Sequence, residues 1–185
     1  MAAWQLCQAP KREVKLLGEI GAQHYHIPFR PDSSDYMKKE AEANPDATNM
    51  GQIYLYRISE KAYGERLIDA LEIIADGNNH PLVMHCTVGK DRTGVLAAML
   101  LAAVDVTDAG IIQDYALSAP FMPTIRERMP QDVKDLPDYQ WEATAESMSL
   151  FLAALRREYG SAEGYLMAHG ADGSLSDCLK QALLV

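Results

Sequence analysis

Cys86 and Arg92 stand six positions apart, with Gly89 between them, His85 immediately before and Thr93-Gly94 immediately after. A free thiol titrates near ~8.5, and only its thiolate is a strong nucleophile; a neighbouring guanidinium and a helix N-terminus can bring the value to roughly 3.5–7.5. The planar fork of an arginine matches two oxygens of a tetrahedral oxyanion and stabilises charge that builds on them. A cysteine and an arginine at this distance therefore point to nucleophilic attack on a bound tetrahedral anion, with Cys86 as nucleophile and Arg92 as the anion clamp.

The flanking residues supply the scaffold for that chemistry. The apolar run 82–84 predicts a strand over 81–85 that ends at the cysteine, and the apolar stretch 95–104 predicts a helix over 93–104. A strand, a tight loop and a helix start aim backbone N–H groups at one spot, a natural anion cradle. Thr87, Val88, Gly89, Lys90, Thr93 and Gly94 are the candidate lining of that cradle. The two glycines permit torsions or close approaches that a Cβ would obstruct. The Thr93 hydroxyl can donate to the Cys86 sulfur and ease its departure in a second step. His85 has two readings, a support of the loop or an ordinary strand-end histidine. Lys90 adds a cation at the mouth of the loop, or is solvated. Asp91 is the first candidate general acid, with orientation of Arg92 or of the loop backbone as its other role. Asp32 and Asp35 are the runners-up.

Length and composition set the frame. The 185 residues fit one domain, spanning 1–185, and 48% are hydrophobic, enough to bury a core. The net charge of −9, from 17 basic and 26 acidic residues, argues against a general nucleic-acid binder, which needs a basic face. An anionic substrate must therefore meet a local basic pocket. The three cysteines, at 7, 86 and 178, form no even disulfide framework, and a working thiolate at Cys86 needs a reducing compartment. No apolar run reaches the ~18 residues of a membrane span, so no stable membrane insertion is expected. The N-terminus does not read as a signal peptide, and a cytoplasmic location is the default expectation.

Along the chain, Trp4 and Leu6 suggest a strand and 11–18 a short helix. Residues 24–29 alternate and stop at Pro28, as an edge strand does. His24 and His26 share a face, but without a third ligand they read as a solvated face, so no metal is expected. Residues 30–51 form a polar excursion, with one helical turn around 36–43. A helix is expected over 53–75, with Tyr56, Tyr63, Leu67, Leu71 and Ile74 near one face. Further helices are expected over 109–117 with Thr107 as N-cap, 123–129, 139–159, 161–169 and 174–184. Cys178, between Leu175 and Leu179, reads as a core residue.

The run His85-Cys86-Thr87-Val88-Gly89-Lys90-Asp91-Arg92-Thr93-Gly94 resembles the His-Cys-x5-Arg-Thr/Ser loop of the cysteine-dependent protein tyrosine phosphatase superfamily. The Gly-Lys-Asp-Arg-Thr-Gly stretch resembles the atypical bacterial and fungal branch, some of whose members also act on phosphoinositides. The likeness extends to Asp114-Tyr115 with Ser118, to 123–126, and to Glu158-Tyr159-Gly160-Ser161 with Gly164-Tyr165-Leu166. It implies an α/β fold: a central, mostly parallel β-sheet with helices on both sides and a helical C-terminal half. It implies hydrolysis of phosphotyrosine, with phosphoserine, phosphothreonine and phosphoinositides as further substrates, through a phosphocysteine and without a cofactor. Arg126 and Arg128 would then lie on a lid over the site, or else pair with Glu127 or nearby acids. Members of the branch begin with strands containing Asp-Leu-Arg. The corresponding place here is Leu6-Cys7-Gln8, so the resemblance implies incomplete N-terminal strands and a missing candidate acid.

Two further readings share the loop. A catalytically weak relative would bind phosphorylated ligands without turnover, but it has no need of an intact nucleophile. An arsenate reductase would want further redox cysteines, and Cys7 and Cys178 show no such pattern.

Overall fold

The computed structural model describes residues 2–5, 15, 18–29, 39–40 and 42–184, the side chains of 2–5 and of 132 excepted. Three four-residue strands form a parallel sheet: β1 (Ala2–Gln5), β2 (Gln23–His26) and β3 (Leu82–His85). The order is β2-β1-β3, with Trp4 opposite both Tyr25 and Met84. The strands are short for local reasons. Pro28, just beyond β2, has no N–H to offer a ladder. β3 must end where the chain curls around Cys86.

Helices make up most of the rest. The helix expected over 53–75 is two helices, α1 (Met50–Ser59) and α2 (Lys61–Ala75), parted at Glu60, whose backbone is extended (φ −81°, ψ 122°). The break lets α1 pack on the long C-terminal helix while α2 packs on the closing one. The Asn49 side chain caps α1 by accepting from the Gly51 N–H at 2.7 Å, satisfying one of the donors that a helix start leaves open. α3 (Asp91–Ala103) follows β3 and the loop, and α4 (Asp108–Ala116) starts at Thr107, which caps it as expected.

A 3-10 turn (Ala119–Phe121) leads into the short helices α5 (Met122–Glu127) and α6 (Gln131–Lys134). The helix expected from 139 begins only at 145. Residues Asp138–Gln140 are a 3-10 turn instead, and α7 (Ala145–Tyr159) is capped by Thr144. Thr144 Oγ1 accepts the Ser147 N–H at 3.1 Å, and that cap sets the start. α8 (Ala162–Ala168) and α9 (Leu175–Leu183) close the chain. Cys178 is exposed on α9, not buried; Leu175, Ser176 and Leu179 form the inner face. Most of the short helix expected over 11–18, and most of the excursion 30–51 before residue 42, lie outside the described residues.

One apolar cluster runs from Ile27 and Phe29 through α1, α2, α3 and α7 to Leu179. Leu67, Leu71, Leu96, Phe151 and Leu155 in it are fully or almost fully buried. At about 1.5–3 kcal/mol per buried side chain, this burial is what holds β3 and α3 in register around the loop.

Candidate active site

The loop between β3 and α3 wraps around one sulfur. Cys86 Sγ accepts the Gly89 N–H at 3.2 Å. Gly89 has φ +80°, a left-handed conformation that glycine adopts without strain, and this turns its N–H inward. Cys86 is buried, at 6% exposure. Burial alone pushes its thiol up. The Thr93 hydroxyl and N–H, the Arg92 charge and the Gly89 N–H outweigh it, so the thiol sits below its ordinary value. Among the described residues, the Thr93 hydroxyl makes no hydrogen bond of full geometry.

Arg92 is the second residue of α3 and is buried, with Nη2 donating to Thr87 Oγ1 at 3.1 Å. Val88 packs against the core. Gly94 lies in the first turn of α3, its N–H donating to the Lys90 carbonyl at 2.8 Å. A Cβ there would fall 2.9 Å from the Tyr115 ring. His85 Nδ1 lies 3.1 Å from the Cys86 carbonyl oxygen, to which it donates in the Nδ1–H tautomer. That contact fits the supporting reading of His85.

Lys90 does not stand as a cation at the mouth of the loop. Its side chain is 1% exposed and turned inward, with Nζ 2.9 Å from Asp91 Oδ1. The same Nζ donates to the carbonyls of Gln140 at 2.7 Å and Glu142 at 3.2 Å. Three oxygens enclose the ammonium and tie the loop to the segment before α7. Asp91 is half-buried and accepts from the Tyr54 hydroxyl at 2.8 Å. Burial would raise its carboxyl, but the Lys90 and Arg57 charges and the hydrogen bonds from Lys90 and Tyr54 hold it below the usual carboxylate range.

A cleft of about 390 Å³ opens at Cys86, and Thr87, Val88, Lys90, Asp91 and Arg92 line it. Sequence reasoning missed the far wall: Glu40, Met50, Ile53, Arg57, Met129 and Trp141. Arg57 offered a signal, a charge among the apolar positions of α1. Its partner Glu40 carried none. Arg126 follows the other expectation, pairing with a nearby acid, and acts as a clasp. It donates to the Lys134 carbonyl at 2.8 Å, the Leu136 carbonyl at 3.2 Å and Asp138 at 2.8 Å, and lies 5.6 Å from the Trp141 ring centre. A wider groove of about 670 Å³ shares Trp141 with the cleft but has no cysteine in its lining. Asp32 and Asp35 lie outside the described residues. Among the described residues, no three His, Cys, Asp or Glu side chains come together as metal ligands. No helix among them is long and apolar enough to cross a membrane.

A buried cysteine with a lowered pKa, in a loop that runs from a strand into a helix bearing Arg92, has the arrangement expected of a cysteine held in an anion-binding loop. Residues 8–185 match the model of the tyrosine phosphatase family, and the chain belongs to that family. It is 34% identical over 112 residues to a tyrosine-protein phosphatase of Nostoc commune, covering 52% of this chain and 37% of that protein. It is 27% identical over 121 residues to the triple specificity protein phosphatase PtpB of Mycobacterium tuberculosis, covering 56% and 44%. It is 33% identical over 55 residues to the inositol diphosphatase DSP3 of Arabidopsis thaliana, covering 30% and 27%. The chain thus spans less than half the length of these curated relatives.

Proposed function

We propose that this protein hydrolyses phosphate monoesters through a phosphocysteine, with phosphotyrosine as the preferred substrate. The observation that carries the reading is the Cys86 sulfur, buried beside the Gly89 N–H and the Arg92 charge and lowered in pKa at the mouth of a cleft. In the first step Cys86 Sγ attacks phosphorus, the P–O bond to the leaving group breaks, and Arg92 with the loop N–H groups of Thr87, Val88, Gly89, Lys90 and Thr93 carries the developing charge. In the second step water attacks phosphorus, the P–S bond breaks, and the sulfur leaves as thiolate with help from Thr93.

The lowered Asp91 favours its carboxylate form in the free protein. Asp91 is therefore better suited to take a proton from the attacking water than to supply one to the leaving group. A phenol, titrating near ~10, leaves with less help than an alkyl alcohol. This supports phosphotyrosine over phosphoserine, phosphothreonine and phosphoinositides, which remain secondary substrates in this reading. Phosphoprotein and inositol phosphate relatives support a phosphorylated partner of one of these kinds.

In the same reading residues 1–185 form one phosphatase domain. The short parallel sheet is the centre of an α/β fold with helices on both faces, and a reducing compartment such as the cytoplasm suits the thiolate. The deciding assay is phosphate release by purified protein from a phosphotyrosine peptide, a phosphoserine peptide and a set of phosphoinositides. Turnover of the first that disappears in Cys86→Ser is expected. Binding of all three without turnover of any would make the protein a phospho-ligand binder instead.

A further inference from the structure

Two buried tyrosines form a hydrogen-bonded line that ends on the loop. The Tyr54 hydroxyl lies 2.8 Å from Asp91 Oδ1 and 2.6 Å from the Tyr115 hydroxyl. Tyr54 comes from α1, Tyr115 from α4, and Asp91 opens α3, so three helices converge on one carboxylate. The direction of the line follows from counting protons. An ionised carboxylate only accepts, so Tyr54 donates to Asp91. With its one proton committed, the Tyr54 oxygen accepts from Tyr115. Burial first, and the nearby Asp91 charge second, push both phenols up, so neither titrates in the working range.

Lys90 Nζ approaches the same Oδ1, at 2.9 Å. Oδ1 therefore has two donors. Among the described residues nothing donates to Oδ2, and Asp91 lines the cleft. The two oxygens of this carboxylate are thus unequal. One is anchored by two donors, and the other has none among the described residues.

We propose that Tyr54, backed by Tyr115, is a positioning residue that fixes the Asp91 carboxylate by Oδ1 and presents Oδ2 to the reacting water. The proposal rests on the phosphatase reading above. In the second step the water oxygen bonds to phosphorus, the P–S electron pair returns to Cys86, and the water proton passes to Oδ2. Tyr54 touches neither the substrate nor the water. It acts through the orientation and ionisation of Asp91.

The test uses Tyr54→Phe, Tyr115→Phe and the double variant of the full chain, with p-nitrophenyl phosphate as substrate. Tyr54→Phe is expected to lower kcat about tenfold with KM within about twofold, because the lost donor acts after substrate is bound. Removing a donor to the ionised form raises the Asp91 pKa, so the acidic limb of the kcat profile should move to higher pH. Tyr115→Phe should move it the same way and less. The double variant should be no worse than Tyr54→Phe, because Tyr115 works only through Tyr54.

A loss of kcat with an unmoved acidic limb and a lower Tm would reduce the tyrosines to packing and overturn the proposal. Independent, additive losses would also overturn it. If Tyr54→Phe does not fold, Tyr115→Phe carries the same prediction. The carboxyl titration of Asp91, followed by 13C NMR in wild type and Tyr115→Phe, needs no turnover. An inactive wild type with a shifted titration would sink the phosphatase reading and spare the anchoring. An active wild type with an unshifted titration would sink the anchoring alone.

Discussion

Arg57 and Glu40 meet at two points on the wall of the Cys86 cleft, Nε to Oε1 at 2.7 Å and Nη2 to Oε2 at 3.1 Å. Both side chains are only 8% exposed. A buried pair of this kind offsets its own desolvation only while both partners are present. Glu40→Ala leaves a buried, uncompensated guanidinium and should cost about 3–5 kcal/mol in urea unfolding. Replacing both, as Arg57→Met with Glu40→Leu, should recover most of that loss. A single-variant cost below about 0.5 kcal/mol would mean that the pair is screened like a surface ion pair.

The lowered Cys86 pKa makes a prediction about reactivity. Cys86 is buried and Cys178 is exposed, so access alone favours Cys178. Thiolate content favours Cys86. Iodoacetamide at about pH 6 should therefore label Cys86 first, and mild peroxide should oxidise it first. Mass spectrometry that finds Cys178 modified ahead of Cys86 would contradict the described microenvironment.

The same shift links stability to pH. A depressed thiol pKa adds stability that is complete above the unfolded value near ~8.5 and is lost as pH falls through the folded value. Wild type should gain stability relative to Cys86→Ser as pH rises from about 6 to about 9. A flat difference across that window would show that the folded thiol is not depressed.

Arg126 holds the segment 134–141 through two carbonyls, Asp138 and the Trp141 ring. Each net hydrogen bond from a charged donor is worth about 1.5–3 kcal/mol, so Arg126→Ala should let this segment open locally. Limited trypsin digestion should then cut faster after Lys134 while the global unfolding midpoint moves little. Unchanged cleavage at Lys134 would show that other contacts hold the segment closed.

Gly94 and Tyr115 leave no room for a methyl group, since a Cβ would stand 2.9 Å from the ring. Gly94→Ala should destabilise by about 1–3 kcal/mol, the usual cost of overpacking, despite the better helix propensity of alanine. Adding Tyr115→Leu should relieve the clash. If the double variant melts no higher than Gly94→Ala, the strain lies elsewhere.

The loop was legible in the sequence because its parts are local. Strand, cysteine, glycine, arginine and helix follow one another within residues 82–103, and each shapes its neighbour. The far wall was not. Tyr54 reads as an ordinary core position of an amphipathic helix, and only the folded chain brings its hydroxyl to Asp91, 37 residues away. Lys90 reads as a surface cation because sequence does not show that the carbonyls of Gln140 and Glu142 will enclose it. Glu60 is an ordinary helix former, so the break between α1 and α2 follows from what each half packs against, not from any breaker residue.

β1 lies between β2 and β3, and among the described residues those two strands share no ladder of their own. Among the described residues, the strand that delivers Cys86 is thus zipped to the sheet only through residues 2–5, some 80 positions earlier in the chain. Such a pairing forms late, because a long loop must close before it yields any contact. The amide hydrogens of 82–85 should therefore exchange with solvent in step with those of 2–5. The Cys86 loop would then be the last part of the molecule to settle and the first to fray. In a nascent or heated chain, the Cys86 loop would loosen before the helices do.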